Sequence, residues 1–308
     1  MRQLSIPLFY IFLLGIPSTL TCVESTNKAP FSKKIDFFKS MNWGKKGNHQ
    51  INEKLPRLKL LKALYDRNDA SQKAVQGKAV IPKIVHQIWV GPKTPPAIFQ
   101  KSLESIHKYL PGWEYKLWTD ADIPSLKLYN QKFYDLSKNY GEKADILRYE
   151  ILYRYGGIYL DVDFVCLKPF DDLLQYDLWT SIYPPDSNAD IGNSIIGTIP
   201  EHPLLWDCVV TLKDDWYSFN TGHLLDVVYK AGPVHFQKSF MKFINDNTTN
   251  IIAFPASYFY PVDFKSRPSK SKNSAKKRED KITSMIKPES YAIHYWAGSW
   301  WNAKVKNK

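Results

Sequence analysis

Stretches typical of β-strands alternate with stretches typical of helices along residues 80–165. The stretches "VIPKIVHQIWVG" (80–91) and "WEYKLWTD" (113–120) are rich in β-branched and aromatic residues and end at Gly or Asp, which predicts strands. Helical spacing of apolar residues predicts helices within 95–112, at 122–138 and at 142–155, and another strand follows. This alternation predicts an α/β fold with a largely parallel sheet, in which ligands bind at the carboxyl ends of the strands.

The two ends of the chain differ in amino-acid composition from this central part. An apolar run follows Arg2, so we predict a signal peptide or signal-anchor at 1–22, a Lys-rich stem or helical extension at 23–78 and the main domain at 79–301. Residues 265–281 are predicted to be a mobile basic loop and 302–308 a basic tail. The leader predicts a secretory route, with a Golgi-type membrane in a eukaryote and an exported or membrane-associated protein otherwise.

The charge is concentrated in two segments. The chain has a formal net charge of +12, but residues 28–62 hold ten Lys and Arg against two acids, and residues 265–281 hold eight against two. The rest of the chain therefore carries about −2, and no nucleic-acid-binding motif accompanies the basic segments. We therefore expect no nucleic-acid partner. Cys166 and Cys208 could form a disulfide or remain two buried thiols.

Two aspartates stand one residue apart in "GGIYLDVDFVCLKPF" (156–170), a run rich in strand-forming residues. On a strand, Asp161 and Asp163 would project from the same face about 6.5–7 Å apart. Paired carboxylates of this kind supply the hard oxygen ligands of a divalent cation. The plain alternative is a strand end at which two aspartates enter solvent.

The helix before this strand carries a second charged pair. Asp145 and Arg148 are spaced i and i+3, so they lie on one side of a helix whose neighbouring positions are apolar. A surface ion pair is the plain explanation. The apolar surroundings and the nearby aspartates favour instead a pair that binds a polar ligand.

The stretch "KADILRYEILYRYGGIYLDVDFVCLKPF" (143–170) closely resembles the sugar-binding region of DXD-containing glycosyltransferases of the family 32 group. This group includes fungal α-mannosyltransferases, and the clostridial toxin glucosyltransferases are more distant relatives. Four further stretches resemble the family in the same order: "IPKIVHQIWVG", "GNSIIGTIPEHPLL", "AGPVHF" and "IHYWAGSWW". The resemblance covers residues 80–301 and implies a GT-A fold, a Rossmann-like and mostly parallel sheet flanked by helices.

The resemblance also implies roles for the charged residues. Asp161 and Asp163 would hold a Mn²⁺ or Mg²⁺ ion that bridges the diphosphate of the donor. Asp145 and Arg148 would bind the hydroxyls of the donor sugar, with Tyr159 beside them. Asp145, Arg148 and Asp163 are therefore the candidate catalytic residues.

Further residues are assigned by the same resemblance. Trp89 would stack on the nucleotide base, and Ser299 and Trp300 would close over the diphosphate, with Ser299 also a candidate metal ligand. His294 is either part of this site or a structural histidine in an aromatic segment. Asn193 would face the acceptor or the donor sugar.

The resulting hypothesis is a metal-dependent, retaining hexosyltransferase. It would use a UDP- or GDP-linked sugar and a glycan, lipid or protein acceptor, with residues 282–301 closing over the donor as a flap. Two other functions remain open. A haloacid-dehalogenase-type phosphohydrolase would use Asp161 as nucleophile and Asp163 as acid/base, and would need a downstream Lys and acidic pair, for which 213–215 is the candidate. The other is a non-catalytic carbohydrate-binding protein.

Overall fold

The computed structural model describes residues 35–41, 55–68, 78–185, 188–223, 225–265 and 275–299 of the 308-residue chain. The predicted leader, most of the predicted stem, the basic tail and Trp300 lie outside these residues. Within the described part of the chain, no helix is both long enough and apolar enough to cross a bilayer. Cys166 and Cys208 are both buried and unpaired thiols.

The strands form a six-stranded sheet and a two-stranded sheet. In chain order they are β1 (Ile84–Ile88), β2 (Glu114–Trp118), β3 (Gly157–Leu160), β4 (Phe164–Cys166), β5 (Leu178–Ile182), β6 (Ile191–Thr198), β7 (Ile251–Phe254) and β8 (Ala292–His294). The larger sheet has the order β2-β1-β3-β6-β5-β7, and within it only β6 runs antiparallel to its neighbours. β4 and β8 pair antiparallel.

Helices flank this sheet. Those of the described residues are α1 (Phe37–Met41), α2 (Pro56–Asn68), α3 (Ile98–Tyr109), α4 (Ile123–Leu126), α5 (Gln131–Leu136), α6 (Tyr140–Tyr155), α7 (Pro203–Ser218), α8 (Asp226–Lys230), α9 (Pro233–Phe243) and α10 (Ala275–Met285). α6 packs against β1 and β3, α9 against β6, α2 against β7 and α3 against β4. The predicted fold class, a mostly parallel Rossmann-like sheet flanked by helices, is confirmed.

The sequence predicts most of these elements because their apolar patterns are regular. The helix predicted at 122–138 is instead two short helices, α4 and α5. The chain turns at Lys127, whose φ of 47° lies in the left-handed region and cannot continue a helix.

Two consecutive glycines allow α6 to lead directly into β3. Gly156 caps α6 with a φ of 61°, and Gly157 follows with a φ of 88°. A Cβ on Gly157 would lie 2.7 Å from the backbone oxygen of Ile84 in β1, and one on Gly156 would lie 2.6 Å from the backbone nitrogen of Pro200. Only glycine combines these backbone angles with such a close approach, so this pair sets where β3 begins.

The N-terminal helix α2 shares the hydrophobic core of the sheet. Its side chains Leu58, Leu61, Leu64 and Tyr65 are fully buried, and the Tyr65 hydroxyl lies 2.9 Å from that of Tyr258. Residues 56–68 therefore pack as part of the main fold, although the sequence suggests a domain boundary near residue 79.

The C-terminal part of the chain contains more regular structure than the sequence suggests. α10 begins at Ala275, inside the segment predicted to be a basic loop, and it ends close to the buried strand β8. The run from Ala275 to Lys281 contains Ala, Lys, Arg and Glu, which are strong helix formers. Its high charge, which suggested a loop, is therefore compatible with a helix.

Candidate functional site

Asp161 and Asp163 lie in a tight turn between β3 and β4. β3 ends at Leu160, and the amide of Phe164 donates to the carbonyl of Asp161 across 3.1 Å, which closes the turn. The prediction that both side chains project from one strand face is therefore wrong. Aspartate is disfavoured in strands and favoured in turns, and here that preference decides the local structure.

His294 completes a group with the two aspartates. The pairing of β8 with β4 sets His294 opposite Phe164, and the two rings stack with centroids 4.7 Å apart. His294 Nε2 lies 3.1 Å from Asp163 Oδ1 and 4.0 Å from Asp161 Oδ2. His294 is therefore both packed into an aromatic environment and directed at the carboxylates, so the two interpretations of this residue are compatible.

The segment after β8 is bonded to the same turn. The amide of Tyr295 donates to the carbonyl of Asp163 across 3.0 Å, and the amide of Ala297 donates to its Oδ2 across 2.7 Å. The Trp296 indole donates to the carbonyl of Val262 across 2.8 Å. Residues 292–297 thus form a wall of the site that is hydrogen-bonded to the turn, and the closure of 282–301 over a bound donor stays a prediction.

Arg148 connects the donor-side residues through both of its terminal nitrogens. Nη1 donates to the carbonyl of Asn193 across 2.5 Å and lies 3.0 Å from Asp145 Oδ1, with which it forms an ion pair. Nη2 donates to the hydroxyl of Tyr159 across 3.0 Å and to Asp161 Oδ1 across 3.1 Å. Arg148 is 4% exposed, and its Nε has no hydrogen-bond partner among the described residues. The guanidinium therefore orients the neighbouring side chains.

The electrostatics of the site show an excess of negative charge. Burial raises the pKa of Asp145 to about 7 even though Arg148 opposes the shift, and burial raises the pKa of Asp161 in the same way. Burial also disfavours ionisation of Asp163, but His294 and the Ala297 amide outweigh it and lower the pKa of that carboxyl. Arg148 thus pairs with two of the three carboxylates and His294 contacts the third, and a bound divalent cation would neutralise the remaining negative charge.

A cavity of about 450 Å³ lies at the carboxyl ends of β1 and β3. It brings together every predicted site residue that the structure describes: Trp89, Asp145, Arg148, Tyr159, Asp161, Asp163, Asn193, His294 and Ser299. Trp300 lies outside the described residues. The individual roles of these residues, including Ser299 as a metal ligand, stay predictions.

Trp89 lines this cavity and is held in place by contacts with the backbone. Its amide donates to the carbonyl of Trp118 across 2.9 Å, and its indole Nε1 donates to the carbonyl of Lys93 across 2.6 Å. The ring of Tyr140 packs so closely over Gly91 that a Cβ there would lie 2.6 Å from it. These contacts fix an aromatic side chain directly after β1, which suits a planar ligand group.

The ligand atoms at the turn fit a divalent cation. One atom each from Asp161, Asp163 and His294 lies within 4.8 Å of the others, close to the span that two metal–ligand bonds of about 2.2 Å bridge. Two carboxylates and an imidazole are a common donor set for transition-metal ions. The residues present therefore fit a bound divalent ion.

The phosphohydrolase alternative finds no support in this geometry. Residues 213–215 lie on α7, and Asp215 is engaged by His235 at 2.8 Å and Lys238 at 2.5 Å. None of the three lines the cavity that contains Asp161. The Lys and acidic pair that such an enzyme would need next to its nucleophile are therefore not supplied by these residues.

Two residues of this region were missed by the sequence analysis. Asp190 lines the cavity, and Arg57 on α2 forms an ion pair with it at 2.8 Å. The two are 133 positions apart and neither lies in a motif, so only the folded chain brings them together.

Comparison with protein families identifies one matching region. Residues 96–179 match the family described as "Glycosyltransferase sugar-binding region containing DXD motif". This range includes α6, the glycine pair and both aspartates of the turn.

Individual proteins match a longer part of the chain than this family region does. Inositol phosphoceramide mannosyltransferase 3 of Schizosaccharomyces pombe is 36% identical over 51% of this chain and 44% of its own length. An uncharacterised glycosyltransferase of Acanthamoeba polyphaga mimivirus is 31% identical over 60% of this chain and 74% of its own length. The solved structure of the PaToxG glycosyltransferase, 18% identical, has a TM-score of 0.46 and aligns over 60% of this chain and 78% of its own. The chain spans about half the length of the S. pombe relatives that it matches.

Proposed function

The chain belongs to the glycosyltransferases whose sugar-binding region contains a DXD motif, and on this premise we propose that it transfers a hexose from a nucleoside-diphosphate sugar to an acceptor hydroxyl with the help of a divalent cation. The observation that carries the proposal is the convergence of Asp161, Asp163 and His294 at a cavity that also contains Trp89 and Asp145.

The cation would be held by Asp161, Asp163 and His294. When bound, such an ion neutralises the negative charge that develops on the diphosphate as it leaves the sugar. The nitrogen ligand favours Mn²⁺ over Mg²⁺, because Mg²⁺ prefers an octahedron of oxygen atoms. Arg148 would hold Asp161 in its ligating orientation through the bond to Oδ1, which leaves Oδ2 directed toward His294.

The donor would lie along the strand ends in one direction. Trp89, after β1, would stack on the base, and the turn after β3 would hold the diphosphate. Asp145 and Asn193, joined by a 2.9 Å hydrogen bond, would bind hydroxyls of the sugar at the level of β6. The three subsites for base, diphosphate and sugar follow the order of the neighbouring strands β1-β3-β6, so one extended donor molecule would reach all three.

The stereochemical outcome would be retention. In that case the acceptor hydroxyl attacks from the face that the diphosphate leaves, and the departing phosphate accepts its proton. No protein nucleophile is required by this scheme. The anomeric configuration of the product, measured by NMR, tests this part directly.

The named relatives support a choice of donor and acceptor class. Three S. pombe relatives, 32–36% identical, are inositol phosphoceramide mannosyltransferases. We therefore propose mannose as the sugar, GDP as the nucleotide and a phosphoinositol-bearing lipid as the acceptor. The apolar run at residues 4–20 would associate the protein with a membrane of the secretory pathway, where such an acceptor lies.

A screen of sugar nucleotides tests the proposal. Full-length protein would be incubated with GDP-mannose, UDP-glucose, UDP-galactose and UDP-N-acetylglucosamine, with Mn²⁺ or with a chelator, and release of the nucleoside diphosphate measured. We expect Mn²⁺-dependent release from GDP-mannose and its loss in Asp161→Asn. Release from no donor by the wild type would contradict the proposed function and favour a non-catalytic carbohydrate-binding protein.

A further inference from the structure

The loop between β5 and β6 contributes to the wall of the cavity that also contains Trp89. Its described residues include Asn188 and Asp190, and both line the cavity. Asn188 and Ala189 have φ values of 63° and 50°, in the left-handed region that side-chain-bearing residues rarely adopt. A backbone of this kind persists only where neighbouring contacts hold it.

Those contacts come from the N-terminal helix α2. Arg57 Nη2 lies 2.8 Å from Asp190 Oδ1 and donates to the carbonyl of Asn188 across 3.0 Å. A single guanidinium thus bonds both to the strained backbone and to the carboxylate that follows it. From α9, Gln237 Oε1 accepts from the amide of Ile191 across 3.0 Å. The loop is therefore fixed from two sides.

The sheet order locates this loop relative to the donor. Trp89 follows β1, Asp161 follows β3 and Asn193 lies in β6, in the order in which these strands neighbour one another. Asp190 directly precedes β6, and Ile191 pairs with Ile182 at the end of β5. Asp190 therefore lies on the same edge of the sheet. With the donor sugar at Asn193 as proposed above, Asp190 would lie past the sugar, where the acceptor would bind.

Resting on the proposed function, we propose that Asp190 binds the hydroxyl groups of the acceptor and that Arg57 is the positioning residue that holds it there. A polyol such as a sugar or an inositol presents several donor hydroxyls, and a fixed carboxylate accepts two of them at defined positions. The helix α2 would therefore contribute to acceptor recognition, although the sequence places it outside the transferase region.

Burial and charge suit Asp190 to this task. Its side chain lines the cavity and is 20% exposed, so it remains within reach of a ligand. Removing a charged hydrogen-bond partner of a bound hydroxyl weakens binding by about 10- to 100-fold. Because Asp190 lies beyond the sugar subsite, this loss should fall on the acceptor alone.

The test compares transfer with donor hydrolysis in the full-length protein. GDP-mannose and Mn²⁺ would be supplied with inositol phosphoceramide in detergent micelles, and hydrolysis would be measured without it. Asp190→Asn should raise the acceptor KM about 10-fold or more and leave acceptor-independent GDP release within about 2-fold. Arg57→Met should also raise the acceptor KM, and Arg57→Lys, which keeps the positive charge, should raise it less.

Arg67→Met is the matched control. Arg67 lies on the same helix and donates to the carbonyl of Ile244 across 3.0 Å, away from the cavity, so its loss should leave the acceptor KM unchanged. A parallel fall of hydrolysis and transfer in Asp190→Asn would overturn the inference, because it would mean a structural role. A normal acceptor KM in that variant would overturn it as well. Absence of GDP release by the wild type would overturn the proposed function and the inference together.

Discussion

The guanidinium of Arg148 donates to Oδ1 of Asp161 across 3.1 Å, from a helix to the turn that follows the neighbouring strand. The same guanidinium lies 3.0 Å from Asp145. One buried guanidinium thus pairs with the buried carboxylate of Asp145 and the partly exposed carboxylate of Asp161, and its position determines how both face the cavity.

Replacing Arg148 should therefore destabilise the protein strongly. Arg148→Met removes the partner of Asp145 and Asp161, and because the pair with Asp145 is buried, breaking it costs about 3–5 kcal/mol. Urea unfolding measures the difference. Lys62→Met is the control, because Lys62 pairs with Asp66 while 38% exposed, and such surface pairs contribute about 1 kcal/mol or less. Similar small losses in the two variants would mean that the Arg148 network adds little to stability.

Asp145 should make the stability of the metal-free protein depend on pH. Its pKa is raised, chiefly by burial, from 3.8 to about 7, so between these values the folded state holds a proton that the unfolded state has released. The free energy of unfolding then falls as pH rises from 4 to 7, by at most about 1.4 kcal/mol per pH unit.

The variant Asp145→Asn removes this titration. Unfolding of wild type and variant in chelator at pH 5, 6, 7 and 8 should show the variant gaining stability relative to wild type as pH rises. A stability difference that does not change with pH would contradict the raised pKa.

Gly157→Ala should be costly for two separable reasons. The residue has a φ of 88°, and an added Cβ would lie 2.7 Å from the backbone oxygen of Ile84. Gly112 has a φ of 78° with nothing within 4 Å of an added Cβ, so Gly112→Ala isolates the cost of the backbone angle, about 1 kcal/mol. We expect Gly157→Ala to cost at least about 2 kcal/mol more in chemical denaturation. Equal losses of unfolding free energy in the two variants would show that the backbone contact between Gly157 and Ile84 adjusts without cost.

The sequence predicts the sheet and its main helices because their apolar periodicity is local and regular. It also identifies the cavity residues that lie in motifs, such as Asp145 and Asp161. It fails where the decisive contact is distant: Arg57 and Asp190 are joined across 133 positions. The helical spacing of the leucines in α2 indicates a helix but not what that helix covers.

The turn at Asp161 shows a different limit of sequence reasoning. The run from Gly157 to Cys166 is rich in strand formers, so one continuous strand is the natural prediction. The structure divides it, because Asp161 and Asp163 favour a turn and β4 pairs with β8 in a separate sheet. That pairing partner lies more than 120 residues later, and it also delivers His294 to the site.

The central claim, a divalent cation held by Asp161, Asp163 and His294, is tested most directly by Mn²⁺ binding to the full-length protein. Electron paramagnetic resonance of free Mn²⁺, with and without GDP, gives the affinity for wild type, Asp163→Asn and His294→Gln. Asp207→Asn is the control, because Asp207 pairs with Lys242 on the surface at 2.7 Å. We predict a site strengthened by GDP, weakened about 10-fold or more in both site variants and unchanged in the control. Equal Mn²⁺ affinity in the wild type and Asp163→Asn would contradict the account.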